Sequence, residues 1–474
     1  MKIWAIVITL LLLGGMWYVV VSQGDEDTPM LKLSSGASKK MSNDVEMSTQ
    51  QSNSQNQNDV SGALNVMAVS EEKLQKTLQW IQKLTPYRFV DWTADDLKNL
   101  KELDLSSHHG ENIVVKDSDL KYLKVLTSLT SLNLEGAGIS NEGLKELSIL
   151  FRLVKLNLSY TKISAGFKEM SSLTQLKELN LKYTKVTNKT LQELAVLPSL
   201  TTLNLESTNI TSNGMKHLFV LKSLSSLNLG RNKLTDKGLK GLSTLSSLTE
   251  LDLNHNKKIT SEGLKALSSL KKLSSLDLKW CNITDDKLKG LSSISSLTDL
   301  DLSVSFITSK SLKELSNLNS LRSLNLSSSE VAYEGIEELS SLKHLSSLNL
   351  NSTKVTDEGI KALSSLTSLS SLDLEHSQIT NEALKELSYF PNLKTLNLKN
   401  NKIDGGNNLS LLTSLTSLDL SLTDLKDDDI RELFFLKSLK VLEMNHVRIA
   451  EETLQELKEA LPNCDMYIKH LRPK

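Results

Sequence analysis

The sequence predicts a right-handed α/β solenoid of horseshoe shape, with parallel strands on the concave face and short helices on the convex face. Three observations predict it. A Leu-Asn-Leu or Leu-Asp-Leu triplet, or a near copy, returns fifteen times from Leu103-Asp104-Leu105 to Leu442-Glu443-Met444, at a step of about 24 residues, within the range of stacked-repeat folds. Each triplet alternates apolar and polar residues, as a short half-buried strand does. Each is followed by a polar turn and an amphipathic stretch in which no unit can bury its leucines alone. Stacked units make one long surface rather than one deep pocket, so binding is the default function and catalysis needs separate evidence.

Leu348 to Leu369 shows the elements of one unit. Leu348 and Leu350 point inward and Asn349 outward. Thr353 falls at the turn, where a small polar side chain reaches unpaired backbone groups inside the coil. Thr356 or Asp357 caps a helix, and Asp357 and Glu358 suit its positive first turn. Ile360 and Leu363 share its inner face, and Leu366 and Leu369 lead back to the next strand.

This pattern resembles the leucine-rich repeats, and the limb "Ile-Thr-Asp-Glu-Gly-Leu-Lys-x-Leu" is similar to the helix-bearing, ribonuclease-inhibitor-like class common in bacterial proteins. The resemblance covers roughly residues 97–470. The family's turn position, usually Asn, is here Thr161, Thr184, Thr208, Asn232, Asn256, Cys281, Ser305, Ser329, Thr353, Ser377, Asn401 and Thr423, while Ala137 and Val447 depart from it. Leu461 to Ile468 places Met466 one repeat after Leu442 and reads as a last, capping strand.

Composition agrees with one extended domain. At 474 residues a globular chain splits into several cores, a limit a solenoid escapes. Net charge is −1 and 48 of the 55 basic residues are Lys, spread singly as on a solvated convex face, without the basic stripe of a nucleic-acid binder. Cys281 stands at a turn position and Cys464 eight units away, ~38 Å at the strand spacing, too far for a disulfide.

Three segments precede the repeats, giving an expected division into 1–24, 25–63, 64–100 and 101–474. Residues 3–21 form an apolar run long enough to span a bilayer, with Lys2 before it and Asp25-Glu26-Asp27 after it. They read as a retained anchor with the repeats outside the cytoplasm, in competition with a cleaved signal ending near Ser22 and a buried helix. No lipobox cysteine is present. Residues 25–63, rich in Ser, Asn and Gln, read as a disordered tether with a reach of ~35 Å. From Ser70 a helix is expected, with Leu74, Leu78, Ile81 and Leu84 on one face, covering the first coil. Sequons such as Asn157-Leu158-Ser159, Asn325-Leu326-Ser327 and Asn351-Ser352-Thr353 lie at the strands, where glycans would crowd the sheet; this points to a bacterial chain.

No catalytic constellation, cofactor motif or metal site is expected. His255, His376 and His446 stand several units apart, too far to share a metal, and His108-His109 reads as part of a polar loop. Asp252, Asp277 and Asp301 form a row, read as a solvated, hydrogen-bonded row with a calcium or acid–base site as the alternative. The row two residues beyond each second leucine is more informative. Most units carry a small residue there, whereas units three to nine carry Tyr160, Tyr183, Arg231, His255, Trp280 and Val304, with Ser207 intervening. Aromatic residues make up 4% of the chain, and Tyr, Trp and Arg dominate interface energetics. The ridge Tyr160, Tyr183, Arg231, His255 and Trp280 is therefore the candidate ligand-binding surface, with sideways packing as the other reading. The expected protein is a monomeric, non-catalytic recognition scaffold for a protein, a peptide or a surface polysaccharide. A structural or adhesive envelope role is the alternative.

Overall fold

The computed structural model describes residues 7–13, 16–22, 70–85, 89–107 and 114–469. The expected tether and the His108-His109 loop lie outside them. The chain divides into two compact units, Met1–Val69 and Ser70–Lys474.

In the first unit, Val7–Leu13 pairs antiparallel with Met16–Ser22, Leu13 opposite Met16. The described part of the apolar run expected as one membrane-crossing helix is thus two strands. Val19, Val20 and Val21 favour extended backbone. Among the described residues no helix is long and apolar enough to cross a membrane.

The second unit is the solenoid. Among the described residues sixteen strands, Glu102–Asp104 through Asp465–Tyr467, form one open parallel sheet in strict sequence order. Each strand has three residues; in all but the last, which is centred on half-buried Met466, the central residue is a buried leucine in register with the next: Leu251 lies opposite Leu276, and Leu276 opposite Leu300. The second leucine of each triplet, such as Leu253 or Leu278, is fully buried just beyond the strand. Short α or 3₁₀ turns return the chain on the other side, and leucines such as Leu264, Leu267 and Leu270 complete each coil.

Two polar devices tie neighbouring units together. Most of the turn residues are buried, and they differ in whether they reach beyond their own unit. Thr353 Oγ1 donates only to Leu350 O of its own unit (2.6 Å), whereas Asn256 Nδ2 donates to Leu253 O (2.8 Å) and to Leu229 O of the preceding unit (3.0 Å). Cys281 also reaches back, its thiol donating to Leu253 O at 3.1 Å. Burial pushes that thiol up to about 12, consistent with a structural role; both cysteines are free. On the helix side, the first-turn aspartate accepts from the next unit: Thr380 N and Oγ1 both donate to Asp357 (2.9 and 2.6 Å). The same contact joins Thr260 to Asp236 and Thr308 to Asp285. This links the recurrent Thr-Asp pair to stacking as well as to capping.

Both ends are covered. Helix Glu71–Leu84 buries Leu74, Thr77, Leu78 and Ile81, Thr77 Oγ1 donates to Tyr122 O (3.0 Å) and Trp80 stacks on Tyr122 (5.3 Å). At the far end Asp465–Tyr467 pairs with Val441–Glu443, Met466 opposite Leu442.

Candidate functional site

The Asn or Asp inside the triplets has a local task. Its side-chain oxygen accepts from the backbone N–H two residues on, as in Asn254 N to Asp252 Oδ1 (2.8 Å), Lys279 N to Asp277 Oδ1 (2.7 Å) and Gly230 N to Asn228 Oδ1 (2.9 Å). This Asx-type bond turns the chain at the end of the strand. It uses one oxygen, so Asn and Asp serve equally and the second oxygen or amide is left to face the sheet surface.

Directly after that turn comes the candidate row. The ridge residues do not extend the strands; each sits in the turn behind its strand, with left-handed backbone. Tyr160 has φ 58°, Tyr183 54°, Arg231 57°, His255 58° and Trp280 59°, and Gly136, Ser207, Val304, Ser328 and Asn400 share the conformation. Their N–H groups continue the inter-unit ladder, as in His255 N to Lys279 O (2.8 Å) and Tyr183 N to Glu206 O (2.9 Å). The ridge therefore runs along the C-terminal edge of the sheet. At such a φ glycine is free of strain and asparagine tolerates it well, while other residues cost about 1–2 kcal/mol. Repeat spacing alone carries no sign of this requirement, because only Gly136 and Asn400 use the residues it favours.

All five ridge residues form side-chain contacts, in two connected groups. Tyr160 and Tyr183 stack at 4.7 Å and 16°. Lys182 lies over the Tyr183 ring at 5.6 Å and pairs with Glu206 at 2.7 Å. Glu206 also meets Arg231 at 3.5 Å. Arg231 Nη2 lies 2.7 Å from His255 Nε2, and the His255 ring stacks on Trp280 at 5.5 Å and 10°. Burial and then the charge of Arg231 hold the His255 pKa below the usual histidine value. The rings remain open to solvent on their outer sides: Tyr160 is 49% exposed, Tyr183 42% and Trp280 40%. Stacking and exposure thus coexist.

Beside the ridge, on the sheet itself, Asp252, Asp277 and Asp301 stand in register on three consecutive strands. Burial, reinforced by the charges of Asp252 and Asp301, pushes Asp277 up to about 6. Among the described residues no group of three or more His, Cys, Asp or Glu side chains is arranged to hold a metal ion. Further along the row, an open groove is lined by Ser328, Ser352, Thr356, His376, Gln378 and Lys402. It is shallow and hydroxyl-rich and lacks the aromatic anchors of the ridge.

Fold and surface together define a parallel-strand, repeat-built solenoid with a decorated sheet edge. Residues 216–405 match a family model described as a leucine-rich repeat region, and residues 125–148, 196–219 and 412–434 match a leucine-rich repeat model. The chain is a leucine-rich repeat protein. Among solved structures its fold is similar to that of TLR13 in its complex with ssRNA13, with a TM-score of 0.56 and 21% identity, covering 74% of this chain and 57% of that one. It is also similar to a chain of the mouse RP105/MD-1 complex, with a TM-score of 0.51 and 21% identity, covering 69% of this chain and 55% of that one. The chain thus spans just over half the length of either. An internalin of Listeria monocytogenes is matched with a TM-score of 0.42 and 21% identity, over 85% of this chain and 95% of that one. No curated protein matches the sequence.

Proposed function

We propose that this protein is a non-catalytic recognition scaffold that binds a protein or peptide along the ridge Tyr160, Tyr183, Arg231, His255 and Trp280. One observation carries the reading: large, solvent-open side chains occupy backbone positions at which glycine or asparagine would be less strained. The turn itself does not require that choice, since Gly136 and Asn400 complete it. Placing Tyr, Arg, His and Trp there concentrates hot-spot residue types along one edge. From Tyr160 to Trp280 the ridge covers five unit steps, ~24 Å at the strand spacing, a length that suits a helix or an extended segment.

The test is partner capture by the purified full chain. The double variant Tyr183→Ala/Trp280→Ala is expected to lose ~2 kcal/mol or more of binding free energy, with little change in melting temperature. Ser328→Ala/Ser352→Ala, on the groove side of the same row, is expected to bind as the parent does. Equal binding by both pairs would assign the ridge to packing, and a loss confined to the serine pair would move the site to the groove.

We further propose that residues 3–21 hold the chain at a membrane with the repeats on the extracytoplasmic side, on the strength of the apolar run and its flanking charges. Retention on membranes after carbonate washing is the expected result; a soluble form beginning near Gln23 would instead establish a cleaved signal.

A further inference from the structure

Several acidic residues on this sheet have built-in counterions. Glu178 pairs with Lys155 at 2.9 Å, Glu206 with Lys182 at 2.7 Å and Glu375 with Lys399 at 2.8 Å. Among the described residues Asp252, Asp277 and Asp301 form no ion pair, and unlike Asp373 and Asp419, which also form none but are separated by Asn397, they stand on three consecutive strands. Their neighbours in register are amides, Asn228 on one side and Asn325 on the other. Asn228 Nδ2 donates to Asp252 Oδ2 (2.7 Å) and Asn325 Nδ2 donates to Asp301 Oδ2 (3.0 Å). Asp277 receives only the Lys279 amide, on Oδ1, so its Oδ2 is unmet. The result is an amide-capped row of three carboxylates, two strand steps or ~10 Å long, with an open acceptor at its centre.

A second observation points the same way. Ser303 is 1% exposed, and its hydroxyl has no hydrogen-bond partner. It lies two residues beyond Asp301, on the same face by alternation, and its amide donates to Asp301 Oδ1 at 2.7 Å. In the corresponding unit Ser159 turns its hydroxyl onto Asn157 (2.7 Å), a bond Ser303 does not make. A buried unpaired hydroxyl is costly, and at the edge of a carboxylate row it is a group awaiting a partner.

We propose that Asp252, Asp277 and Asp301, with Ser303, form a cradle for a lysine- or arginine-bearing segment of the partner, flanked by Trp280 and His255 of the ridge. The proposal rests on the ridge reading above and names the chemistry of what binds there. An ammonium or guanidinium group supplies the donors the row lacks and the countercharge its neighbours do not provide. Held there it relieves the repulsion among the three carboxylates, and the solvent-open Trp280 ring offers a face on which the same cation is attracted to the π system. Every donor and charge needed comes from a single basic side chain, and an extended segment carrying several would continue along the ridge.

The test is fluorescence anisotropy of a labelled tetralysine peptide titrated with the full chain at low salt. The variant Asp252→Asn/Asp277→Asn/Asp301→Asn places in each position the residue already used at Asn228 and Asn325, so the turn bond and the fold persist; an unchanged melting temperature confirms this. That variant is expected to bind tetralysine about tenfold more weakly, ~1.4 kcal/mol, and Asp373→Asn/Asp419→Asn, at the same register elsewhere, to bind as the parent does. Equal weakening in both variants would reduce the effect to overall charge and overturn the proposal. So would unaltered binding in the triple variant, or displacement of the peptide by calcium alone. Partner capture separates the two levels. Loss with Tyr183→Ala/Trp280→Ala but not with the triple variant overturns the cradle and leaves the ridge. The reverse supports the cradle and overturns the ridge.

Discussion

Replacing Leu251 by alanine is expected to lower stability by about 2–5 kcal/mol, the range for truncating a buried leucine and leaving a cavity. Leu251 is the central residue of strand Glu250–Asp252, 2% exposed, in register with Leu227 on one side and Leu276 on the other. The side chain lies mid-stack, so its loss weakens two inter-unit contacts as well as one coil. In a chain whose units touch only their neighbours, such damage uncouples the halves. Equilibrium denaturation is therefore expected to show a lower midpoint and a broader transition. An unchanged curve would mean that the triplet leucines do not carry the core.

The second large effect is expected at Asn256, which is fully buried. Its amide donates to Leu229 O and Leu253 O, and its Oδ1 accepts from Leu234 N at 2.7 Å. Asn256→Ala leaves Leu234 N unpaired inside the coil and takes one donor from each of Leu229 O and Leu253 O, which keep Asn232 Nδ2 and the Cys281 thiol; with roughly 1–3 kcal/mol for the unpaired N–H, a loss of about 2–3 kcal/mol follows. Thr353→Val is the informative comparison. Thr353 makes one bond, within its own unit, so its removal is expected to cost about 1 kcal/mol. Thermal or denaturant melts of the two variants check the difference. Equal losses would show that the bonds between units add nothing to those within them.

The period, the inward leucines and the polar turn positions were legible in the sequence because each depends on residues within one unit. What depended on local backbone geometry was not. The middle residue of the triplet read as an outward polar residue, yet Asn180 Oδ1 holds the Lys182 amide and is a turn-forming group. The left-handed conformation of the ridge was hidden because Tyr160, Trp280 and Val304 are residues that ordinarily avoid it. The acid row was visible as residue types, but its amide caps came only with register: Asn228 and Asp252 are 24 residues apart and meet because the strands stack. The ridge residues themselves were legible from clustering of large side chains in a column otherwise mostly small. Their contacts, such as Arg231 on His255, needed the stacking to appear. The apolar run at residues 3–21 shows the opposite limit in its described part, 7–13 and 16–22, since length and hydropathy favoured a helix while the β-branched residues favoured strands.

The central claim is that the sheet edge around the ridge is where a partner sits. Site-specific photocrosslinking tests it most directly. A photoreactive side chain in place of Ser207, the small residue between Tyr183 and Arg231, is compared with one in place of Ser365, exposed on the convex side. The expected result is one crosslinked partner at position 207, saturable with increasing partner and lost when Tyr183 and Trp280 are also replaced by alanine, with no such product at position 365. Equal crosslinking at both positions, or a product at 207 that does not saturate and survives those replacements, would contradict it.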